Sequence, residues 1–255
     1  MRLTWGLNKI LMSELINGFY LDEFGCFVQA DGDGGDSAQR FGMYCAGIKF
    51  RELLGLDTIS MPKLTFESLA LKYYDPDGLL IRHPTQWNDP GDFSRDQEVP
   101  FTIALGLWAS NRHLINLRKQ HDLRILNKYQ NSDIPSPHHM AVLDRAQGVD
   151  RYYLSDLCFL PDCLFHIAKS KNPDFADDLT FVLMLLQAHF IHPTRASKLA
   201  IKVYSSLRYP SYGTSKLGEK NKILGSLAWY FRPETGASPG FVELYRPIIL
   251  EVFCG

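Results

Sequence analysis

Two short acidic turns contain the residues whose types and spacing suit catalysis. The first runs from Asp31 to Arg40 and the second from Asn88 to Gln97, and each contains glycine and leads into an apolar segment. Both turns place carboxylates beside a guanidinium and an amide at the start of a predicted helix. Paired carboxyl groups can cleave a glycosidic bond, because one protonates the leaving oxygen while the other acts as base or nucleophile. Fixed Arg and Gln donors can orient the hydroxyls or a carboxylate of a substrate.

The spacing within the turns selects the candidate residues. If the first helix begins at Asp36, then Asp36 and Arg40 share a face at i and i+4, and Asp92, Arg95 and Asp96 stand at i, i+3 and i+4. We therefore expect the catalytic carboxyls to be Asp36, Asp92 and Asp96. The expected substrate-binding residues are the donors around them and the aromatic rings that can stack on sugar faces: Gln39, Arg40, Tyr44, His83, Trp87, Arg95, Gln97, Trp108 and Arg232.

Helix capping is the competing interpretation of both turns. Asp and Ser are preferred N-caps, and a Gln three residues later completes a capping box. Asp36–Gln39 and Ser94–Gln97 fit that pattern, and the Asp–Arg pairs can be ordinary salt bridges. Capping needs only one acid per helix, however, and crowded like charges are costly unless a cation, a partner or a function uses them. Each turn has a surplus of acids, which favours a function: Asp31, Asp33 and Asp36 in the first, and Asp89, Asp92 and Asp96 in the second.

Calcium binding is a further possibility for the first turn. Asp31, Asp33 and Asp36 resemble the start of an EF-hand loop. Gly42 occupies the position of the bidentate Glu, and Asp36 occupies that of the invariant Gly, so a true EF-hand is excluded. A non-standard Ca²⁺ site at these three acids stays open as an alternative. Otherwise the sequence indicates no cofactor, since it has neither a Walker loop nor a Gly-x-Gly-x-x-Gly motif.

Composition narrows the class of protein. The chain has 255 residues, of which 45% are hydrophobic, and a net charge of -1. That length is enough for one domain with a substantial core. The chain lacks the basic excess that would neutralise a phosphate backbone, so we expect no nucleic-acid partner. No apolar run reaches the roughly 18 residues of a membrane span, so we expect no membrane partner.

The cysteines and the N-terminal segment suggest a compartment. The chain has 5 cysteines and no CxxC motif. An odd number of cysteines without metal-ligand spacing favours reduced thiols. The first twenty residues are interrupted by polar side chains at helical spacing, which is not typical of a signal peptide. We therefore expect the cytoplasm or another reducing compartment.

Hydrophobic periodicity predicts a mainly α-helical single domain over residues 1–255. Apolar residues at a 3.6-residue period predict helices near 3–20, 37–54, 63–74, 95–119, 153–170, 176–190, 194–207, 223–231 and 239–253. Asp75–Gly78 has the composition of a turn, and residues 79–82 are predicted to follow it as a short strand. Residues 131–150 and 208–222 have the composition of loops.

The two turns also echo each other along the chain. Gly35–Arg40 and Gly91–Gln97 each precede an apolar helix and lie about 56 residues apart, which is the span of one helix hairpin. This layout resembles the (α/α)-toroid glycoside hydrolases and polysaccharide lyases, in which acidic turns lead into the inner helices of a ring. The resemblance implies helical hairpins in an (α/α) ring-like or irregular antiparallel bundle. It also implies a carbohydrate-active enzyme, a hydrolase or a lyase, with an oligo- or polysaccharide substrate.

One other function fits the same residues. The chain is then a non-catalytic α-helical binding or assembly protein, and its acidic turns are helix caps and salt bridges. The structure can separate the two, because a glycosidase needs Asp36, Asp92 and Asp96 to line one cleft. Two of those carboxyls should lie about 5–10 Å apart.

Overall fold

The computed structural model describes residues 19–56, 63–86, 95–108, 113–114, 116–117, 175–191, 193–207, 223 and 240–254. Within these ranges the side chains of residues 63–65, 95–96, 98, 175–181 and 207 are outside the description. Within these described ranges the bounds of six helices are given: α1 (Ser37–Leu53), α2 (Lys63–Leu71), α3 (Arg95–Trp108), α4 (Phe175–Ile191), α5 (Arg195–Leu207) and α6 (Gly240–Cys254). The prediction of a mainly helical protein is confirmed.

Several predicted segments lie outside the described residues. These are the helix at 153–170, nearly all of the helices at 3–20 and 223–231, and the loops at 131–150 and 208–222. The described helices match the predicted ones at 37–54, 176–190, 194–207 and 239–253 to within two residues at each end. None of the described helices is long and apolar enough to cross a membrane.

Helix α1 is the central helix of the described fold. Of its predicted apolar face, Phe41, Cys45 and Ile48 are buried and Tyr44 is half-buried, whereas Leu53 at its last position is 45% exposed. Nearly all of its other residues are buried as well, including Gln39 and Arg40 in its first turn. The reason is that α3, α4 and α6 all contact this one helix.

Five of the described helices, all except α2, contact one another in a cyclic order. Along the chain α1 contacts α3, α3 contacts α4, α4 contacts α5, α5 contacts α6, and α6 returns to α1. A further contact joins α1 to α4 across this cycle. Helix α2 packs through Phe66, whose ring stacks on Phe41 of α1 at 5.7 Å and on Trp108 of α3 at 6.0 Å.

Helices α1 and α3 approach most closely at Gly42. A Cβ atom placed on Gly42 would lie 2.3 Å from both the Phe101 nitrogen and the Pro100 carbonyl carbon. Carbon atoms in ordinary contact are about 3.5–4.0 Å apart, so only glycine allows the two backbones to come this close. Because Gly42 is near the start of α1 and Pro100 is near the start of α3, this contact brings the two helix starts together.

Two hairpins with the same hydrogen bonds precede the acidic turns. In the first, residues 21–27, the Asp22 amide donates to the Cys26 carbonyl at 2.9 Å, and the Cys26 amide donates to Asp22 Oδ1 at 2.8 Å. In the second, residues 74–80, the Asp75 amide donates to the Leu79 carbonyl at 2.9 Å, and the Leu79 amide donates to Asp75 Oδ1 at 2.6 Å. Isolated bridges, Leu21 to Phe27 and Tyr74 to Leu80, close the two hairpins.

The second hairpin corrects the predicted strand at residues 79–82. Leu80 forms an isolated bridge with Tyr74, six residues earlier, so residues 79–82 form a bridge in place of the predicted strand. The Asp75 carboxylate holds the hairpin by accepting the Leu79 amide. Gly78 takes φ 79°, a left-handed conformation that favours glycine, which confirms the predicted turn.

Candidate functional site

The Asp36 carboxylate is the centre of the candidate site. Asp36 occupies the N-cap position of α1, yet its side chain makes no capping hydrogen bond. Its Oδ1 accepts a hydrogen bond from Gln97 Nε2 at 2.7 Å, and its Oδ2 accepts one from Arg40 Nη2 at 3.4 Å. The expected i, i+4 pair with Arg40 is therefore present. The Asp36 side chain is 28% exposed, so solvent reaches this carboxylate.

Other groups satisfy the first turn of α1, which is why Asp36 does not cap it. A helix start leaves its first amides without intrahelical partners. Here the Ser37 amide donates to the Gly34 carbonyl and the Ala38 amide to the Arg82 carbonyl, both at 2.9 Å. The Gln39 amide donates to Gln97 Oε1 at 3.2 Å. The capping interpretation is thus wrong for the Asp36 side chain, which is left available to the site.

Gln97 joins the starts of α1 and α3. Both polar atoms of its buried side-chain amide form hydrogen bonds: Nε2 donates to Asp36 Oδ1, and Oε1 accepts from the backbone amide of Gln39. Gln97 lies in the first turn of α3, so the helix that follows the second acidic turn meets the first turn directly. The backbones of Arg95 and Asp96 precede Gln97 in that same turn, and their side chains are outside the description, as are Asp92 and Trp87 altogether.

Two guanidinium groups flank the Asp36 carboxylate. Arg40 is 3% exposed, and its Nε and Nη1 atoms have no hydrogen-bond acceptor among the described residues. Arg82 Nη1 lies 4.0 Å from Asp36 Oδ1 and donates to the Gly35 carbonyl at 3.3 Å. Two guanidinium groups and an amide donor therefore lie next to this carboxylate. Sequence reasoning missed Arg82, because nothing in its spacing connects it to a turn 46 residues earlier in the chain.

Asp31 and Asp33 shape the first turn itself. Asp31 Oδ1 accepts the Asp33 amide at 3.0 Å, and Asp33 Oδ1 accepts the Gly35 amide at 2.9 Å. These are Asx turns, in which a carboxylate takes the place of a backbone acceptor. Gln86 fastens the turn from outside, since its Oε1 accepts the Gly34 amide at 2.7 Å and its Nε2 donates to the Gly32 carbonyl at 3.0 Å. Part of the acidic surplus is thus structural.

The proposed Ca²⁺ ligands do not converge. Throughout the described parts of the chain, only Asp22, Cys26 and His83 gather three ligand atoms within 4.8 Å of one another. Asp31, Asp33 and Asp36 form no such group, so their arrangement gives the Ca²⁺ alternative no support. The Asp22, Cys26 and His83 group contains the side-chain types that bind Zn²⁺.

The hydrogen bonds of His83 argue against a metal at that group. His83 Nδ1 accepts hydrogen bonds from the amides of Thr85 and Gln86, both at 3.2 Å, so Nδ1 carries no hydrogen and the ring hydrogen is on Nε2. Nε2 lies 3.0 Å from Asp22 Oδ2, although the pair is not aligned as a hydrogen bond. A metal at Nε2 would move the hydrogen to Nδ1, where it would face two amide donors. Burial raises the pKa of the Cys26 thiol.

His83 therefore has a structural place in the described fold. The residue is fully buried, and a Cβ on Gly34 would lie 2.4 Å from its ring. Both ring nitrogens face protein groups, so His83 ties the first hairpin to the segment that leads toward α3. We leave it out of the proposed substrate-binding set. The shared Asp-x-x-Gly spacing at Asp22 and Asp75 was the sequence signal for these two hairpins.

Tyr44 and Trp108 also lie away from Asp36. The Tyr44 ring packs on Phe19 at 5.1 Å and Phe27 at 5.3 Å, and burial raises its pKa to about 12. The Trp108 Nε1 atom donates to the carbonyl of Cys45 at 2.8 Å. Tyr44 and Cys45 are about 12–14 Å beyond Asp36 along α1, at 1.5 Å per residue. We leave both aromatic residues out of the proposed site. Arg232, a further candidate, is outside the described residues.

No protein-family model, no curated protein and no solved structure matches this chain. The function is therefore argued from the geometry around Asp36.

Proposed function

We propose that this protein is a carbohydrate-active enzyme that cleaves a glycan at the Asp36 site. The observation that carries the proposal is the position of the Asp36 carboxylate at the start of α1. Solvent reaches this carboxylate, which makes no capping hydrogen bond and accepts a hydrogen bond from Gln97 of the second acidic turn. Gln97 fixes one oxygen at 2.7 Å, and Arg40 and Arg82 stand on either side. A reacting carboxylate needs this kind of fixed orientation, because misplacement reduces its effectiveness.

The hydrogen bonds of Asp36 suggest its role. Both oxygens of the Asp36 side chain accept hydrogen bonds in this arrangement. Such a group suits the part of base or nucleophile, whereas the leaving oxygen must receive its proton from a second carboxyl. We assign that second role to Asp92 or Asp96, which belong to the turn whose helix start supplies Gln97. Arg95 and Gln39 complete the proposed set as orienting residues.

The helical arrangement supports the resemblance on which the activity is based. Among the described helices α1, α3, α4, α5 and α6, each contacts the next and α6 contacts α1, as expected for hairpins in an (α/α) ring-like bundle. The contact of α1 with α4 across the cycle favours the irregular bundle over an open ring. The similar hairpins at Asp22 and Asp75 are a second internal similarity of the chain, in addition to that between the two acidic turns.

A release assay for reducing ends over a panel of polysaccharides tests the proposal. The variants are Asp36→Asn and, as a matched control, Asp33→Asn, in which the amide oxygen can still accept the Gly35 amide. We expect Asp36→Asn to lower activity by about 10²–10⁴-fold, the usual contribution of a proton-transfer group, and Asp33→Asn to keep most of it. Lyase products are detected in the same samples by the ultraviolet absorbance of unsaturated sugars. Equal activity of all three proteins refutes the role of Asp36.

A second function is supported by the way Gln97 is used. One amide that donates to Asp36 and accepts from Gln39 can also be a purely structural clasp between two helices. In that case the chain is a non-catalytic helical binding or assembly protein. Asp36→Asn then lowers the melting temperature, and no polysaccharide in the panel is cleaved by the wild type.

A further inference from the structure

The outward face of α5 carries three cations and an exposed leucine. Arg195, Lys198 and Lys202 stand at i, i+3 and i+7, so they share one side of the helix, and all three are exposed. Leu199 lies on the same side and is 46% exposed. We call these four residues the basic stripe. Its cationic side chains form no hydrogen bond or ion pair with any described residue. No Asp or Glu occurs between residues 179 and 218, so the basic stripe has no counter-charge in its own stretch of the sequence.

The charges of the basic stripe are unfavourable within a single chain. A helix start has a partial positive charge, so cations such as Arg195 and Lys198 near the start of α5 lower its stability. Lys198 and Lys202 add a like-charge pair at i and i+4. Thr194 and Ser197 already cap this helix start, since each hydroxyl oxygen accepts the backbone amide of the other residue, at 3.0 and 2.9 Å. The cations therefore have no capping role, and a negatively charged partner would offset their repulsion.

The end of α6 has the opposite charge. Glu251 is exposed in the last turn of α6, where the partial charge of the helix is negative and no basic residue is present. Leu250, next to it, is 45% exposed. The Glu251 carboxylate forms no ion pair with a described residue, whereas Glu243, nearer the start of α6, pairs with Arg246 at 3.7 Å. We call Leu250 and Glu251 the acidic end of α6. Like the basic stripe, it combines an uncompensated charge with an exposed leucine.

The basic stripe and the acidic end lie on neighbouring helices. Helices α5 and α6 contact each other, and the rings of Tyr204 and Phe253 meet at 6.3 Å. Lys198 precedes Tyr204 by about 9 Å along the helix, at 1.5 Å per residue, so the start of α5 is displaced from that contact. A two-fold axis between two copies of the chain can place each basic stripe on the partner's acidic end, because every contact across such an axis is made twice.

We propose that a second copy of this chain docks on α5 and α6, with the basic stripe of each copy against the acidic end of the other. Leu199 and Leu250 supply the apolar part of the contact, and the opposed helix ends supply its electrostatic part. Helices of 13 and 15 residues side by side present a face of roughly 20 Å by 20 Å. An interface of this size is small for a stable dimer, so we expect a dissociation constant on the order of micromolar. The Asp36 site contributes no residue to this surface, so the dimer does not depend on the proposed function.

Sedimentation equilibrium of the full chain tests this proposal. We expect the mass of the wild type to rise from 29.1 kDa to twice that value as its concentration passes through the micromolar range, and the dimer to weaken as salt is raised. Two charge-reversed variants are compared with it: Lys198→Glu combined with Lys202→Glu on α5, and Glu251→Lys on α6. Each variant alone places like charges in both contacts of the dimer, so each should weaken association by at least about a hundred-fold.

Unfolding of the variants would not explain such a loss. Lys198→Glu puts an acid near a helix start and Glu251→Lys puts a cation in a last turn, which are the favourable positions for these charges. The melting temperature of the dilute proteins should therefore not fall. An equimolar mixture of the two variants should form a heterodimer about as tight as the wild-type dimer, because opposite charges meet again in both contacts.

Asp77→Lys is the matched control, since it reverses an exposed acid on the second hairpin, outside the proposed surface, and should leave the dimer unchanged. A wild type that stays monomeric up to about 0.1 mM overturns the proposal. A mixture of the two variants that stays monomeric also overturns it, and so does equal weakening by Asp77→Lys. A monomeric chain that binds phosphatidylserine vesicles through Lys198 and Lys202 assigns the basic stripe to a membrane surface, which likewise overturns the proposal.

Discussion

Substitution of Gly42 is the sharpest test of how the two helix starts are brought together. In Gly42→Ala the new Cβ would lie 2.3 Å from two backbone atoms of Pro100 and Phe101 and 2.6 Å from the Phe101 Cα. Backbone atoms cannot move aside separately, so α1 and α3 must part by about 1 Å to reach an ordinary contact distance. Overpacking of this kind costs about 3 kcal/mol at the upper end of its usual range.

Helix propensity offsets part of that cost. Alanine is favoured over glycine in a helix interior by up to about 1 kcal/mol. The net loss in the free energy of unfolding is therefore about 2 kcal/mol, or a fall of about 4–8 °C in melting temperature for a chain of this size. The separation of α1 from α3 should also weaken the hydrogen bond from Gln97 to Asp36, because that bond depends on the same contact between the two helices.

Gly47→Ala is the matched control within the same helix. Its new Cβ would meet the Cδ2 atom of Leu244 at 2.7 Å and the Cε2 atom of Tyr245 at 3.1 Å, which are side-chain atoms. A leucine tip can change its rotamer, so we expect a change within about 1 kcal/mol of wild type. Thermal denaturation followed by far-ultraviolet circular dichroism measures both variants. A Gly42→Ala protein as stable as the wild type, or more stable than Gly47→Ala, refutes the close approach of α1 and α3.

Two further predictions concern the hairpins and the buried tyrosine. Asp22→Ala removes the acceptor of two amides, at 2.9 and 2.8 Å, and the carboxylate that faces His83, so it should lower the free energy of unfolding measured in urea by about 2–4 kcal/mol. Asp75→Ala removes the acceptor of one amide and should lower that free energy by about half as much. Equal losses in the two variants would contradict the contact of Asp22 with His83. The pKa of Tyr44 is raised by burial from 10.0 to about 12, so the unfolded chain loses this proton first and stability falls as pH rises from about 10 to 12. Over this range the wild type should lose about 2 kcal/mol more than Tyr44→Phe, which keeps the losses due to Tyr73 and Tyr245, whose pKa values burial also raises. Parallel pH profiles of the two proteins would contradict this.

The helices were predictable because their signal is local. Phe41, Cys45 and Ile48 repeat at helical spacing and are buried in α1 as expected. The same periodicity could not show that Gln39 and Arg40 are buried too, because their burial depends on the contacts of α1 with α3, α4 and α6. Periodicity reports one face of a helix, whereas a central helix is covered on several sides.

The candidate site was predictable only in part. Both turns and the pairing of Asp36 with Arg40 follow from spacing along one helix start. That the Asp36 side chain does not cap α1 could not be predicted from this spacing. It depends on the Arg82 carbonyl and the Gln97 side-chain oxygen, which accept the first amides of α1 in its place. Tyr44 and Trp108 looked suitable for sugar stacking by residue type. Their places in the aromatic packing follow from tertiary contacts that no local pattern encodes.

The central claim is that the two acidic turns meet at the Asp36 carboxylate. A double-mutant cycle over Asp36→Ala and Gln97→Ala measures it directly, as the coupling in the free energy of unfolding between the two changes. The 2.7 Å bond from an amide to a carboxylate gives an expected coupling of about 1.5–3 kcal/mol. Additive effects within about 0.5 kcal/mol would mean that the two side chains do not interact, and would contradict both the site and the function proposed from it.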